Sequence, residues 1–195
     1  MLSHLRPALV SLGLFTLLLG LAYPLAVTGV AQGLMSAQAD GSLIRKDGKV
    51  VGSELVGQNF TRPQYLHPRP SAAGADGYDA SASSGSNLGP LSEDLAKRVA
   101  ESAAALRAET GAAVIPADAV TTSASGLDPD ISPAYARLQA PRIALERGAP
   151  VAEVQAVIDA NTRGRLLGFV GQPRVNVLKS NLALDARYPV GHPAA

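Results

Sequence analysis

The chain of 195 residues contains 17 Lys and Arg, 16 Asp and Glu, and no Cys. Arg6 is the only one of these charged residues before Asp40, so the rest of the chain has no net formal charge. This balance argues against a nucleic-acid partner, and the lack of Cys excludes disulfides, iron–sulfur clusters and thiol catalysis.

Residues 7–32 form an uncharged, mostly apolar run, which predicts a transmembrane helix because about 20 apolar residues span a bilayer core. The alternative is a secretory signal peptide cleaved near Ala31. The apolar run is longer than the roughly 7–15 residues typical of a signal. Arg6 predicts that the short tail, residues 1–6, stays in the cytoplasm and that residues 33–195 form an extracytoplasmic domain.

Small residues lie on two faces of the predicted helix, separated by Pro24. Such faces let membrane helices pack closely, although Gly and Ala are also common in membrane spans, and the pattern alone leaves both interpretations open. Pro24 is expected to redirect one face by kinking the helix. The predicted packing interface comprises Gly13, Gly20, Ala22, Ala26, Gly29 and Gly33.

The remainder predicts an α+β fold, with a single mixed domain after the transmembrane helix. Asp47-Gly48 between β-prone runs predicts a hairpin, and residues 61–90 predict a long irregular segment. Helices are expected after Ser92, Ser132 and Pro150, with Val151, Val154, Val157 and Ile158 facing inward on the last. Pro141 is expected to break or kink the second helix near Gln139. Residues 174–178 predict a strand, and residues 181–185 a short amphipathic piece.

The chain contains no phosphate-binding loop, P-type phosphorylation motif or potassium filter motif. Ser123 and Ser125 with Asp128, His67 and His192 could in principle build a serine hydrolase, but such serines more often form turns. Asp118, Asp128 and Asp130 could hint at a cation site, against the simpler interpretation of turn and helix-cap residues.

Six ordered stretches together resemble one family over nearly the whole chain. They are residues 59–60, 65–71, 78–88, 118–133, 139–143 and 171–178, the last with Asn181 and Leu182. With the N-terminal span, they are similar to the C subunit of the Kdp potassium-transporting ATPases.

The resemblance implies a non-catalytic subunit of a bacterial inner-membrane complex. Its implied partners are a channel-like A subunit that selects potassium, a P-type B subunit that hydrolyses ATP, a small F subunit, and membrane lipid. The complex would handle ATP and potassium, and this chain would bind no cofactor firmly. The loop residues Tyr65, Tyr78, Ser86 and Asn87 are candidate partner contacts.

The resemblance also implies a proposed role in raising the ATP affinity of the pump subunit, carried by Gln139 near Arg142. The predicted topology argues against direct ATP contact, and Gln139 could equally be an ordinary hydrogen-bonding residue at a helix end. The competing hypothesis from another class is a membrane-anchored periplasmic enzyme or binding protein that acts alone.

Overall fold

The computed structural model describes residues 4–189, and His192 of the hydrolase hypothesis lies outside them. The chain divides into two compact units, the first ending at Ser53 and the second beginning at Glu54. In the first unit, Leu5–Leu34 is the one helix of the described residues long and apolar enough to cross a membrane. As predicted, the fold combines an N-terminal apolar helix with a mixed α/β remainder.

The apolar helix accommodates Pro24 through a local change of hydrogen bonding. Helix α1, Leu5–Leu17, is followed by a π-helical turn, Leu18–Ala22, and by α2, Tyr23–Leu34. The Tyr23 amide donates to the Leu18 carbonyl, five residues back. A proline ring normally clashes with the carbonyl four residues earlier, so the wider turn makes room for it without interrupting the helix.

A hairpin completes the first unit, as predicted. One helical turn, α3 (Ser36–Ala39), leads to antiparallel strands β1 (Leu43–Lys46) and β2 (Lys49–Ser53). Asp47 and Gly48 both adopt positive φ, 52° and 77°. This is the conformation that a two-residue hairpin turn requires, and Gly48 adopts it without steric cost.

The second unit packs four helices around a small antiparallel sheet. The helices are α4 (Glu93–Thr110), α5 (Pro133–Arg147), α6 (Val151–Ala160) and α7 (Val177–Arg187). The strands β3 (Asp130–Ile131), β4 (Thr162–Arg163) and β5 (Arg174–Asn176) run in the order β3-β5-β4. Residues 54–92 contain neither helix nor strand, and we call them the irregular segment.

The predicted helix boundaries are confirmed where capping residues define them. The hydroxyls of Ser92 and Ser132 accept amide hydrogen bonds from the first turns of α4 and α5. Gly111 and Gly148 end the same helices in the left-handed conformation, with φ of 69° and 61°. These are the usual devices for satisfying the unpaired groups at helix ends.

The core of the second unit forms where α5, α6, α7 and β5 meet. Its fully buried residues include Ala140 and Ile143 of α5, Ile158 of α6 and Leu184 of α7. Leu66, from the irregular segment, is also completely buried and belongs to the same cluster. The segment without regular structure is therefore part of the core rather than a linker.

Four predicted features of these elements are wrong. Pro141 does not break helix α5, which continues to Arg147, because burial of its apolar face against the core outweighs one lost backbone hydrogen bond. The predicted strand 174–178 ends at Asn176, whose side chain caps α7 by accepting from the Lys179 amide. The predicted piece 181–185 is therefore the middle of a longer helix. Val151 is 40% exposed because it occupies the first position of α6.

Candidate functional site

Two buried amide side chains hold the irregular segment at consecutive residues. The Gln139 side chain accepts a hydrogen bond from the His67 amide at 2.8 Å and donates to the His67 carbonyl at 3.1 Å. Asn181 makes the same pair of bonds to Leu66, at 2.8 and 3.0 Å. Neighbouring residues of an extended chain point in opposite directions, so one amide on α5 and one on α7 satisfy both. Together the two side chains form what we call the amide clamp.

Arg142 reinforces the amide clamp from the next turn of α5. Its guanidinium donates to the Gln139 side-chain oxygen at 2.8 Å and to the Tyr65 carbonyl at 3.1 Å, and it also contacts the Pro63 carbonyl. Its Nε lies 3.0 Å from the Glu109 carboxylate of α4. Burial and the nearby Arg142 charge lower the pKa of His67 below its usual value, so this imidazole is neutral at pH 7.

Tyr65 points inward, with its ring packed against the guanidinium of Arg147 at 5.1 Å from the ring centre. The Arg147 side chain is completely buried, pairs with Asp185 at 2.9 Å, and donates to the Gln64 carbonyl at 2.7 Å. The Tyr65 hydroxyl donates to the same Asp185 carboxylate at 3.3 Å. Tyr65 therefore fastens the irregular segment to α7, an arrangement in which cation–π and hydrogen-bonding contacts act together.

Tyr78 lies farther along the segment and holds a tight turn. Its hydroxyl donates to the Arg69 carbonyl at 2.7 Å, and burial raises its pKa above the usual value, so the hydroxyl stays protonated. The Ser71 hydroxyl accepts from the Tyr78 amide at 2.9 Å and donates to the Gly126 carbonyl at 2.7 Å. Arg69 pairs with Asp128 at 2.9 Å. These bonds fix residues 69–78 against residues 121–128.

Glycines allow residues 121–128 to approach other parts of the irregular segment backbone to backbone. A Cβ on Gly126 would lie 2.6 Å from the Ser84 carbonyl oxygen, and Gly126 also has a φ of +67°. A Cβ on Gly57 would lie 2.5 Å from the Asp128 carbonyl oxygen. Only glycine fits at these positions, since real side chains never approach so closely.

Open clefts border Arg69 on several sides. One, of about 430 Å³, is lined by residues that include His67, Tyr78 and Tyr135. Another, of about 440 Å³, is lined by residues that include Asp118, Asp128 and Asp130.

The three aspartates already have internal partners. Asp118 accepts from the Ser132 amide and hydroxyl at 2.7 and 2.9 Å. Asp128 pairs with Arg69, and Asp130 pairs with Arg174 at 2.9 Å. The residues that the structure describes include no cluster suited to a metal ion. The three carboxylates therefore act as turn, cap and ion-pair groups.

The serine hydrolase hypothesis finds no support in the described residues. The hydroxyls of Ser123 and Ser125 lie 3.5 Å from each other. The His67 ring instead bonds the Arg62 carbonyl at 3.0 Å. No described histidine is bonded to either serine, so no described base can activate either hydroxyl.

The structure brings only some of the predicted site residues together. Gln139, Arg142 and Tyr65 share one network. Ser86 and Asn87 lie in the outer loop, where Asn87 is exposed with a φ of +52°, and neither makes a side-chain hydrogen bond among residues 4–189. The helix residues belong to the first unit, where a Cβ at Gly13, Gly29 or Gly33 would have no neighbour within 4 Å. Gly20, Ala22 and Ala26 are likewise exposed.

Sequence reasoning missed Asn181 and Arg147 as site residues. Asn181 is 1% exposed although it lies within the apolar pattern of α7. A buried amide in such a pattern must find hydrogen-bond partners, and that requirement was the available signal. Arg147 carries no comparable signal, because a basic residue near a helix C-terminus normally has a sufficient role there.

A family model described as "K+-transporting ATPase, c chain" (KdpC) matches residues 5–186. The chain belongs to the KdpC family. It is therefore an accessory subunit of a K+-transporting ATPase, and the hypothesis of a periplasmic protein acting alone has no support. The family match includes the amide clamp, the two loops and the apolar helix.

Named relatives agree with the KdpC assignment over nearly their full lengths. The chain is 72% identical over 190 residues to a "Potassium-transporting ATPase KdpC subunit" of Caulobacter vibrioides strain NA1000 / CB15N, covering 97% of this chain and 96% of that protein. It is 65% identical over 195 residues to a protein of the same name from Beijerinckia indica, covering 99% and 98%.

Proposed function

We propose that this KdpC-family chain anchors a periplasmic domain to the bacterial inner membrane and stabilises the assembled potassium pump without taking part in its chemistry. The observation that carries the proposal is the extent of the family match, which begins at residue 5 and includes the apolar helix. A helix within the matched region is better explained as a retained anchor than as a signal peptide. ATP and potassium would be handled by the other subunits.

The proposed orientation places the N-terminus in the cytoplasm and the second unit in the periplasm. Its support is Arg6, the one basic residue next to the apolar helix. Because the chain lacks cysteine, a single introduced thiol can be labelled without background. In right-side-out vesicles, an impermeant maleimide should label Asn87→Cys and leave Ser3→Cys unlabelled until the membrane is opened. The reverse labelling would overturn the orientation.

The proposed partners are the channel-like A subunit, the P-type B subunit and the small F subunit, with the apolar helix as one contact. Its small residues are exposed in the isolated chain, and such a face lets helices pack closely. Gly29→Leu with Gly33→Leu should reduce co-purification of the other subunits in mild detergent. Leu21→Phe, which at about 100° per residue lies on neither small-residue face, is the matched control. A chain that always purifies alone would contradict the proposal.

For Gln139, we propose a structural role rather than contact with nucleotide. Its side chain is 4% exposed, and both its polar atoms are bonded to His67, with a further bond from Arg142. An amide with its polar atoms already engaged is poorly placed to bind a second ligand. An unchanged ATP dependence of the assembled pump carrying Gln139→Ala would agree with this role. A changed dependence must be compared with that of an equally destabilised variant.

A further inference from the structure

The loop between β4 and β5 exposes an apolar tip that the fold does not use. The exposed fractions of Leu166, Leu167 and Phe169 are 68%, 78% and 72%, and that of Val170 is 46%. Other exposed large apolar residues of the second unit form no run of this length: Leu145 stands singly in the sequence, and Leu55 and Val56 form a pair. A run of exposed apolar side chains marks a surface that binds a partner or a membrane.

Part of the backbone of the tip is hydrogen-bonded within the loop. Leu166 and Val170 exchange two hydrogen bonds of 2.9 Å, and the amides of Gly168 and Phe169 donate to carbonyls within the loop at 3.2 and 3.3 Å. Unpaired backbone groups are what normally prevents a loop from entering an apolar medium. These internal bonds therefore reduce the polar cost of burying the tip.

The charged side chains of the loop itself are all basic. Residues 162–174 contain three arginines and no acidic residue. Arg163 and Arg174 pair with Glu54 and Asp130 but keep about half of their side chains exposed. Arg165 makes no ion pair or hydrogen bond among residues 4–189. An apolar tip with basic flanks complements a surface that has an apolar interior and anionic groups at its boundary.

We propose that residues 163–174 dock the second unit onto the surface of the bilayer, with the tip among the lipid chains and Arg165 at anionic headgroups. A lipid surface is favoured over a protein partner because the tip has no polar side chain that would give directional recognition. The membrane-spanning helix is part of the same chain, which keeps the local concentration of bilayer high. Amphipathic segments of this composition bind at membrane interfaces.

The test uses the full chain in vesicles, with an environment-sensitive fluorophore on a single introduced cysteine. Leu167→Cys and Phe169→Cys report on the tip, and Leu145→Cys, an 81% exposed position on α5, is the matched control. In vesicles containing anionic lipid, the two tip positions should shift to shorter emission wavelength and be quenched by lipids brominated along their chains. The control position should remain in water.

The contribution of the Arg165 charge to membrane binding is tested separately. Arg165→Gln should weaken association of the tip with anionic vesicles about fivefold, the amount expected for one basic residue near such a surface. Lys97→Gln, at an exposed position on α4, should have no effect. Absence of quenching at the tip, or equal quenching at Leu145→Cys, would overturn the proposal. Shielding that requires the other pump subunits and occurs without lipid quenching would also overturn it, in favour of a protein contact.

Discussion

Replacing Gln139 by Met should separate the structural role of this residue from a role in nucleotide binding. Methionine keeps the length and most of the volume of the side chain but removes three hydrogen bonds, two to His67 and one from Arg142. At a net value of about 1 kcal/mol for each bond, the second unit should lose about 3 kcal/mol of stability. This corresponds to a decrease in melting temperature of roughly 10 °C for a domain of this size.

The most direct assay is amide hydrogen exchange of the full chain in detergent micelles, read at the Leu66 amide, whose acceptor Asn181 the variant leaves in place. A loss of about 3 kcal/mol corresponds to an increase of about 100-fold in exchange by opening. Gln155→Ala is the matched control. Gln155 is also within a helix, but its side chain makes no hydrogen bond among residues 4–189. The control should change stability by less than about 0.5 kcal/mol. If Gln139→Met changes stability as little as the control, the amide clamp does not hold the segment.

The same variant also tests nucleotide contact in the assembled pump. Asn181→Ala provides an equally destabilised comparison, because it breaks the other half of the amide clamp. If both variants change the ATP dependence equally, the change results from destabilisation of the second unit. If Gln139→Met changes it and Asn181→Ala does not, Gln139 has a role of its own.

Three further predictions concern the same unit. Asn181→Ala should cost about 2–3 kcal/mol in urea unfolding, because it leaves both backbone groups of Leu66 without partners; a loss below about 0.5 kcal/mol would contradict this. Burial raises the pKa of Tyr135 to about 12, so stability should be full below pH 10 and fall between pH 10 and about 12. Tyr135→Phe should make that fall less steep, and an unchanged slope would count against the assignment. Gly126→Ala, with backbone atoms at 2.6 and 2.7 Å from the new Cβ, should hasten proteolysis between residues 71 and 89, whereas Gly148→Ala, at a similar φ in open space, should not.

The elements with local signals were predictable from the sequence. Ser92 and Gly111 mark the two ends of α4, the first by side-chain capping and the second by backbone capping. Asp47-Gly48 requires only its own backbone conformation to form a hairpin turn. These interactions involve residues close together in the chain. Local chemistry therefore decided the structure, and the predictions were correct.

The wrong predictions depended on contacts between distant parts of the chain. Continuation of α5 past Pro141 depends on its burial against α6 and the sheet, which no local pattern contains. The start of α7 at Val177 depends on the Asn176 cap, whose side-chain amide also donates to the Glu54 carbonyl, 122 residues away. The amide clamp likewise joins residues 72 and 115 positions apart. Such pairs are visible only in the folded chain.

Several polar side chains in the stretches that resemble the family point into the protein, and the irregular segment gives the reason. Residues 54–92 have no helix or strand to satisfy their backbone groups, so buried backbone at Leu66 and His67 must bond to side chains instead. Gln139 and Asn181 supply those bonds. Ser71 accepts in the same way from the Ala73 and Tyr78 amides, and Gly126 leaves space for the close approach of the backbones. Residues of this kind determine the shape of a loop surface and do not themselves act as reacting groups. The chain can thus give the loop surface of its second unit a defined shape without helices or strands.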